Sequence, residues 1–389
     1  MNKTTSKPTL LRRILYIVFL LGIIFFFVES LLSIVYFQTY GQTPLATIGL
    51  FKKLKRNYLQ WKVKEDTNQS QYMVRPGSLK ELSKMIDLEM RKANGFDYQP
   101  WAGYSAKTFH GQYINVDGFI RKSAPSSSAT EGDSNAVVIY FFGGSTMFGF
   151  NVADFETIPS YFVKKCIEQK INMPVKVANV GIPTYYSYHE LMLFSHLLYN
   201  NHRPHIAVFL DGLNDGAGLR ATLYRQPFLN YRLKLPFMMD IVRGKPDFRD
   251  SLDYALDIPG GSLPQGAADT IFTNYMSAVK AIETIGSAYN VKTCFFIQPV
   301  PYYNYTNRKN DPICSQGERP QFQILYPKLE TQSFNQNIHF LGNMLEQEKG
   351  FPFADAIHYS PAFNEKIAAA VLEIILPEMG KIYAKKQSN

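Results

Sequence analysis

The stretch that most constrains this chain is Val137–Gly149, VVIYFFGGSTMFG. Its first six residues are all β-branched or aromatic, and the run stops abruptly at Gly143-Gly144-Ser145. Such a run reads as a buried strand delivering a serine hydroxyl at its C-terminal edge. In an open α/β sheet that edge is where ligands bind. Glycines there let backbone approach a substrate closely. A turn with no chemistry is the plainer reading of Gly-Gly-Ser, so the rest of the chain has to decide.

A serine nucleophile needs a base, a group that orients the base, and donors for an oxyanion. Three further blocks follow in order: Asn179-Val180-Gly181 after the apolar VKVA, Gly212-Leu213-Asn214-Asp215 after IAVFLD, and Asp355-Ala356-Ile357-His358 ahead of a C-terminal helix. The first two sit where a strand gives way to a loop. The third carries a carboxylate and an imidazole three residues apart, and no other Asp-x-x-His occurs. Ser360-Pro361 directly after it suits an N-cap and first helical residue.

Together the blocks GGST, NVG, GLND and DAIH resemble those of the SGNH hydrolases, the GDSL esterase and lipase superfamily. The resemblance runs from about Val137 to the C-terminus. It implies a flavodoxin-like three-layer α/β/α fold with a mostly parallel sheet. It also implies Ser145 as nucleophile, His358 as base and Asp355 as orienter. The backbone amides of Ser145 and Gly181 and the side-chain amide of Asn214 would form the oxyanion hole. Neither metal nor organic cofactor is implied. The chain departs from the family at Gly144, where Asp is usual, and at Thr146, where Leu is usual. Asp215 reads as part of a turn.

Alternation of strand and helix after residue 137 argues independently for a covered, mostly parallel sheet. Strands are expected near 137–142, 175–180, 206–211 and 292–298, and helices near 156–169, 186–200, 267–289, 331–347 and 361–384. An insertion at about 216–266 would shape the substrate site or form a lid. It includes Gly260-Gly261-Ser262-Leu263, which mimics the family tetrapeptide but has no apolar strand feeding it. Upstream, Ser78-Leu79-Lys80-Glu81 has the pattern of a capping box opening a helix that Asn94-Gly95 ends. Phe109–Arg121 reads as a hairpin turning at Asp117-Gly118.

Residues Ile14–Phe37 are apolar apart from Glu29, Ser30 and Ser33, long enough to cross a bilayer. Lys3, Lys7, Arg12 and Arg13 precede the run and no basic residue follows until Lys52, which puts the N-terminus in the cytoplasm and the body outside. A cleaved signal peptide is the rival, though no small-x-small cleavage site follows. The expected organisation is a cytoplasmic tail over 1–13, an anchor over 14–37, membrane-proximal helices, hairpin and linker over 38–135, and the hydrolase domain over 136–389.

The net charge of +9 includes the tail and the cluster Lys52, Lys53, Lys55 and Arg56, which suits an anionic membrane surface rather than nucleic acid. Cys166, Cys294 and Cys314 form no metal or redox motif. Aromatics, 14 % of the chain, crowd the loops after the motif strands: Phe148, Phe150, Tyr185, Tyr186, Tyr302, Tyr303, Tyr305 and Tyr359. If they rim the site they suit stacking on sugar rings. The expectation is therefore an extracytoplasmic serine esterase releasing short acyl groups, acetyl foremost, from an envelope carbohydrate. Transfer of the acyl group to a polysaccharide, cleavage of a lipid ester, and a non-enzymatic scaffold are the alternatives.

Overall fold

The computed structural model describes residues 16–25, 80–99, 101–123, 134–217, 266–315, 317–332 and 337–388. The chain divides into two units, Met1–Ser70 and Gln71–Asn389. Within the first, residues 16–25 are helical with every side chain exposed. Among the described residues no helix is long and apolar enough to cross a membrane. Most of the expected anchor, the expected linker, the insertion and Ser262 lie outside them.

The second unit begins with helix α1 (Lys80–Ala93), followed by the paired strands β1 (Phe96–Gln99) and β2 (Gly103–Ala106). Short strands β3 (Phe109–His110), β4 (Asn115–Asp117) and β5 (Ile120–Arg121) come next, and β4 pairs with β5 across Gly118, whose φ is 59°. Glu89 of α1 ties this region together, its carboxylate accepting the amides of Gln112, Tyr113 and Ile114 at 2.8–3.0 Å.

The alternating part follows as β6 (Val137–Gly143), α2 (Ser145–Phe148), α3 (Ile158–Glu168), β7 (Val175–Asn179), α4 (Ser187–Tyr199), β8 (Ile206–Asp211) and α5 (Leu213–Gly216). After the insertion come α6 (Ala267–Ala288), β9 (Lys292–Ile297), α7 (Gln321–Gln332), β10 (Ile338–Phe340) and α8 (Pro361–Gln387). The sheet has the order β10-β9-β8-β6-β7-β5-β4-β3. Pairings from β10 through β7 are parallel, and the upstream hairpin strands close the edge beside β7 antiparallel. The sheet thus draws three strands from sequence ahead of residue 136.

Period-two alternation splits the apolar residues of the strands between two cores, which makes three layers. On β8, Ala207 and Phe209 pack with Phe194 of α4 and Tyr275 of α6, whereas Ile206, Val208 and Leu210 pack with Phe162 of α3 and Val371 of α8. After β6 the chain goes to β7 on one side, then returns to β8 on the other. The switch point therefore lies at the C-terminal end of β6, where a crevice opens for a ligand.

The expected helix over 331–347 is not there. The helical segment is α7, ending at Gln332, and Ile338–Phe340 instead pairs in parallel with Phe295–Ile297. Pro327 inside α7 and a three-residue strand gave neither element a periodicity of its own. The three cysteines are free thiols, all buried. Burial pushes Cys166 up to about 12 and Cys294 up to about 11, which keeps both thiols protonated.

Candidate active site

Ser145 opens helix α2 directly off the end of β6, so its amide has no intrahelical acceptor and its hydroxyl stands at the switch point. The residue is 8 % exposed. Its Oγ lies 2.7 Å from His358 Nε2, and His358 Nδ1 lies 2.7 Å from Asp355 Oδ2. The structure thus brings together three side chains drawn from opposite ends of the catalytic stretch.

The DAIH segment makes a turn in which Asp355 Oδ1 accepts the amides of Ile357 (2.9 Å) and His358 (2.8 Å). Ser360 then caps α8 and Pro361 begins it. Burial raises the Asp355 carboxyl, but the charge and hydrogen bond of His358 and those two amides outweigh it and hold the group below its ordinary value. An ionised carboxylate can only accept, which fixes the neutral imidazole with its proton on Nδ1 and Nε2 open to the hydroxyl of Ser145.

The Ser145 amide, at the first position of α2, has no intrahelical acceptor. Asn214, in α5, donates from Nδ2 to Tyr185 O at 2.6 Å and keeps a second hydrogen. A Cβ added to Gly144 would lie 2.2 Å from that nitrogen, so Asn214 rests against the backbone just ahead of the nucleophile. Any side chain at residue 144 would therefore displace this amide.

Gly181 corrects the sequence reading. Its amide donates to Asn179 Oδ1 at 3.0 Å, and Asn179 Nδ2 donates to Met147 O at 2.9 Å. A Cβ at Gly181 would meet Phe148 N at 2.6 Å. The glycine is there for close approach to α2, and its N–H is already occupied.

Asp215 is also more than a turn residue. It is 3 % exposed and accepts from the Ser187 hydroxyl at 2.6 Å and the Ser187 amide at 3.4 Å. Asn214 and Asp215 therefore hold Tyr185 and Ser187 from consecutive positions. Beneath them, buried Glu190 and Asp211 share a hydrogen bond, and Tyr275 donates its hydroxyl to Asp211 at 3.2 Å. Burial, reinforced by Asp211, pushes Glu190 well above the usual carboxylate range. These acids do not make a metal site: among the described residues no cluster could hold a metal ion.

Gln298, just past β9 and 2 % exposed, was not foreseen. Its Oε1 accepts from the hydroxyls of Thr146 (2.7 Å) and Tyr359 (3.2 Å), the residues that directly follow nucleophile and base. A leucine at 146 could not make the first of these bonds. Most of the aromatics expected at the rim belong instead to the core. Phe148, Tyr185, Tyr186, Tyr302, Tyr303, Tyr305 and Tyr359 are all buried, and Phe150 alone of that set is half-buried, stacked on the His358 ring at 4.8 Å.

No family model matches the chain, and no curated protein does. Similar solved structures include a lipase/acylhydrolase from Enterococcus faecalis, 17 % identical, covering 63 % of this chain and 96 % of its own, with a TM-score of 0.39. A GDSL-like lipase from Bacteroides thetaiotaomicron is 14 % identical over 62 % of this chain and 89 % of its own, at 0.36. An acetyl xylan esterase is 12 % identical over 61 % and 100 %, at 0.39. In the order of its four blocks, and in the triad those blocks bring together, the chain is similar to the SGNH hydrolases.

Proposed function

We propose that the chain is a serine esterase whose body lies outside the cytoplasm, held to the membrane by its N-terminal apolar run. The observation that carries the activity is the unbroken relay from Ser145 Oγ to His358 Nε2 and from Nδ1 to Asp355. In the reaction Ser145 attacks the ester carbonyl while His358 takes its proton, and Asp355 stabilises the imidazolium. The developing oxyanion faces the Ser145 amide and Asn214 Nδ2, neutral donors that need no ionisation. His358 then protonates the leaving alcohol, and water attacks the acyl-serine by the same route in reverse. The membrane anchor is supported by the hydropathy and charge of residues 3–37.

For the substrate we propose a short acyl ester, acetyl foremost, on an envelope carbohydrate. Its support is narrower than the sequence suggested: among the described residues of that aromatic set, Phe150, stacked beside the base, is the face left for a sugar ring.

The test combines labelling with a serine-reactive phosphonate, peptide mapping, and rates on nitrophenyl esters of two to twelve carbons. Label on Ser145, lost in Ser145→Ala at an unchanged melting temperature, is expected. Label that persists in that variant, or maps to Ser262, refutes the assignment. Rates that climb with chain length replace the carbohydrate reading with a lipid one. Acetate passed to an added glycan rather than to water makes the protein a transferase.

A further inference from the structure

Asp355 has one hydrogen-bond partner that its own loop does not supply. Oδ1 is filled by the amides of Ile357 and His358, and Oδ2 takes His358 Nδ1. The fourth donor is Asn151 Nδ2, 2.5 Å from Oδ2. With it the carboxylate has two donors on each oxygen, which fills its acceptor capacity.

Asn151 belongs to the turn that follows the nucleophile's helix, and it is 6 % exposed. Its φ of 64° lies in the left-handed region, which asparagine tolerates better than most residues. The turn begins at Gly149, φ 82°, and Phe150 N donates to Ser145 O at 3.0 Å. Phe150 then covers the imidazole and Asn151 reaches the carboxylate, so one short turn touches both partners of the nucleophile it follows.

The turn itself is braced from below. Arg121 of β5, with a fully buried side chain, donates to the carbonyls of Phe148 and Gly149 (both 3.4 Å) and Val152 (2.9 Å). Its Nε lies 2.7 Å from Asp154 Oδ1, and Asp154 also accepts the side chain of Asn115 at 2.8 Å. A turn fixed at its carbonyls has little freedom to carry Asn151 away from Asp355.

We propose that Asn151 is a positioning residue for ester cleavage: it fixes the plane of the Asp355 carboxylate so that Oδ2 points along the His358 Nδ1–H bond. The inference rests on the serine-esterase reading. With that donor gone, the carboxylate is held by three bonds, all from its own loop, so its plane is less firmly fixed and one charge-stabilising bond to a buried anion is missing. The imidazole is then less firmly held in the tautomer that serves Ser145.

Asn151→Gly is the informative variant, because glycine keeps the left-handed turn and removes only the amide. On nitrophenyl acetate, the full-length variant should lose kcat by about ten- to a hundredfold, the worth of a hydrogen bond to a charged group, with KM little changed. Its melting temperature should stay near that of the parent. The low-field proton resonance of His358 Nδ1–H, assigned by its absence in Asp355→Asn, should move upfield or broaden. A variant with parental kcat and an unmoved resonance overturns the proposal, and so does an equal loss in kcat and melting temperature. If the parent chain itself turns over no ester, the esterase reading fails instead, and the resonance alone then decides the role of Asn151.

Discussion

Glu190→Gln should remove one part of a pH dependence of stability that the parent protein carries, while Asp211, pushed up to about 7, keeps its own part. Glu190, Asp211 and Asp215 are each at most 3 % exposed, with no cation among the partners described for them. Burial and mutual repulsion keep them from all being ionised: all three carboxyls are raised, Asp211 to about 7, and Glu190, pushed well above its ordinary 4.5, holds its proton most firmly and donates it to Asp211. A group whose folded pKa is raised gives stability that is complete below its unfolded value and is lost as pH rises toward the folded one. The unfolded chain releases this proton near 4.5, so above that pH the native state binds one proton more and stability falls. The slope is about 1.4 kcal/mol per pH unit, so the fall from pH 5 to 7 is on the order of 3 kcal/mol at most. Glutamine donates an N–H to Asp211 without titrating. The stability difference, variant minus parent, should therefore grow by that amount across the interval. In thermal scans the growing gap corresponds to about 4 °C for a folded unit of this size. Urea unfolding at half-unit pH steps measures it directly. Parallel curves for the two proteins would show that no shared proton sits between Glu190 and Asp211, and the reasoning would fail.

Two further outcomes follow from the site. Gly144→Ala places a methyl group 2.2 Å from Asn214 Nδ2 and 3.0 Å from Tyr185 O, so the amide must move. The expected loss is about a hundred- to a thousandfold in kcat, that of one oxyanion donor, read by steady-state kinetics on a variant whose circular dichroism matches the parent. Arg121→Met leaves Asp154 buried without its cation and should cost about 3–5 kcal/mol in denaturant unfolding; adding Asp154→Asn should restore part of it.

The triad could be read in the sequence because each of its parts is local. A run of β-branched and aromatic residues ending in Gly-Gly-Ser marks a strand edge, and Asp355 and His358 share one turn. What could not be read depends on partners far along the chain. Nothing near Gly181 announces that Asn179 folds back onto its amide, and nothing near Asp215 shows that Ser187 will come to rest on it. Gln298 follows an apolar strand with no spacing to mark it, and its value comes only from Thr146 and Tyr359 meeting there. The aromatics misled for a related reason: tyrosine after a strand looks the same whether its ring fills the core or lines a cleft, and here the ring of Tyr359 is fully buried with its hydroxyl on Pro299 O. α7 and β10 escaped because a proline and brevity erased their periods.

The hairpin that ends at Arg121 also bears on how such a chain can vary over time. Its guanidinium serves the carbonyls behind the nucleophile, and its counter-ion, Asp154, lies on the far side of the first catalytic block. The upstream strands are therefore not a module to be exchanged while the motif-bearing remainder is kept. A recombination joint between residues 121 and 154 would pair an arginine from one ancestor with whatever stands opposite it in another. Unless that partner were acidic, the turn bearing Phe150 and Asn151 would lose its footing. Residues 121 and 154 should therefore be inherited as a pair, a linkage that runs across the very boundary at which the motif-bearing part begins.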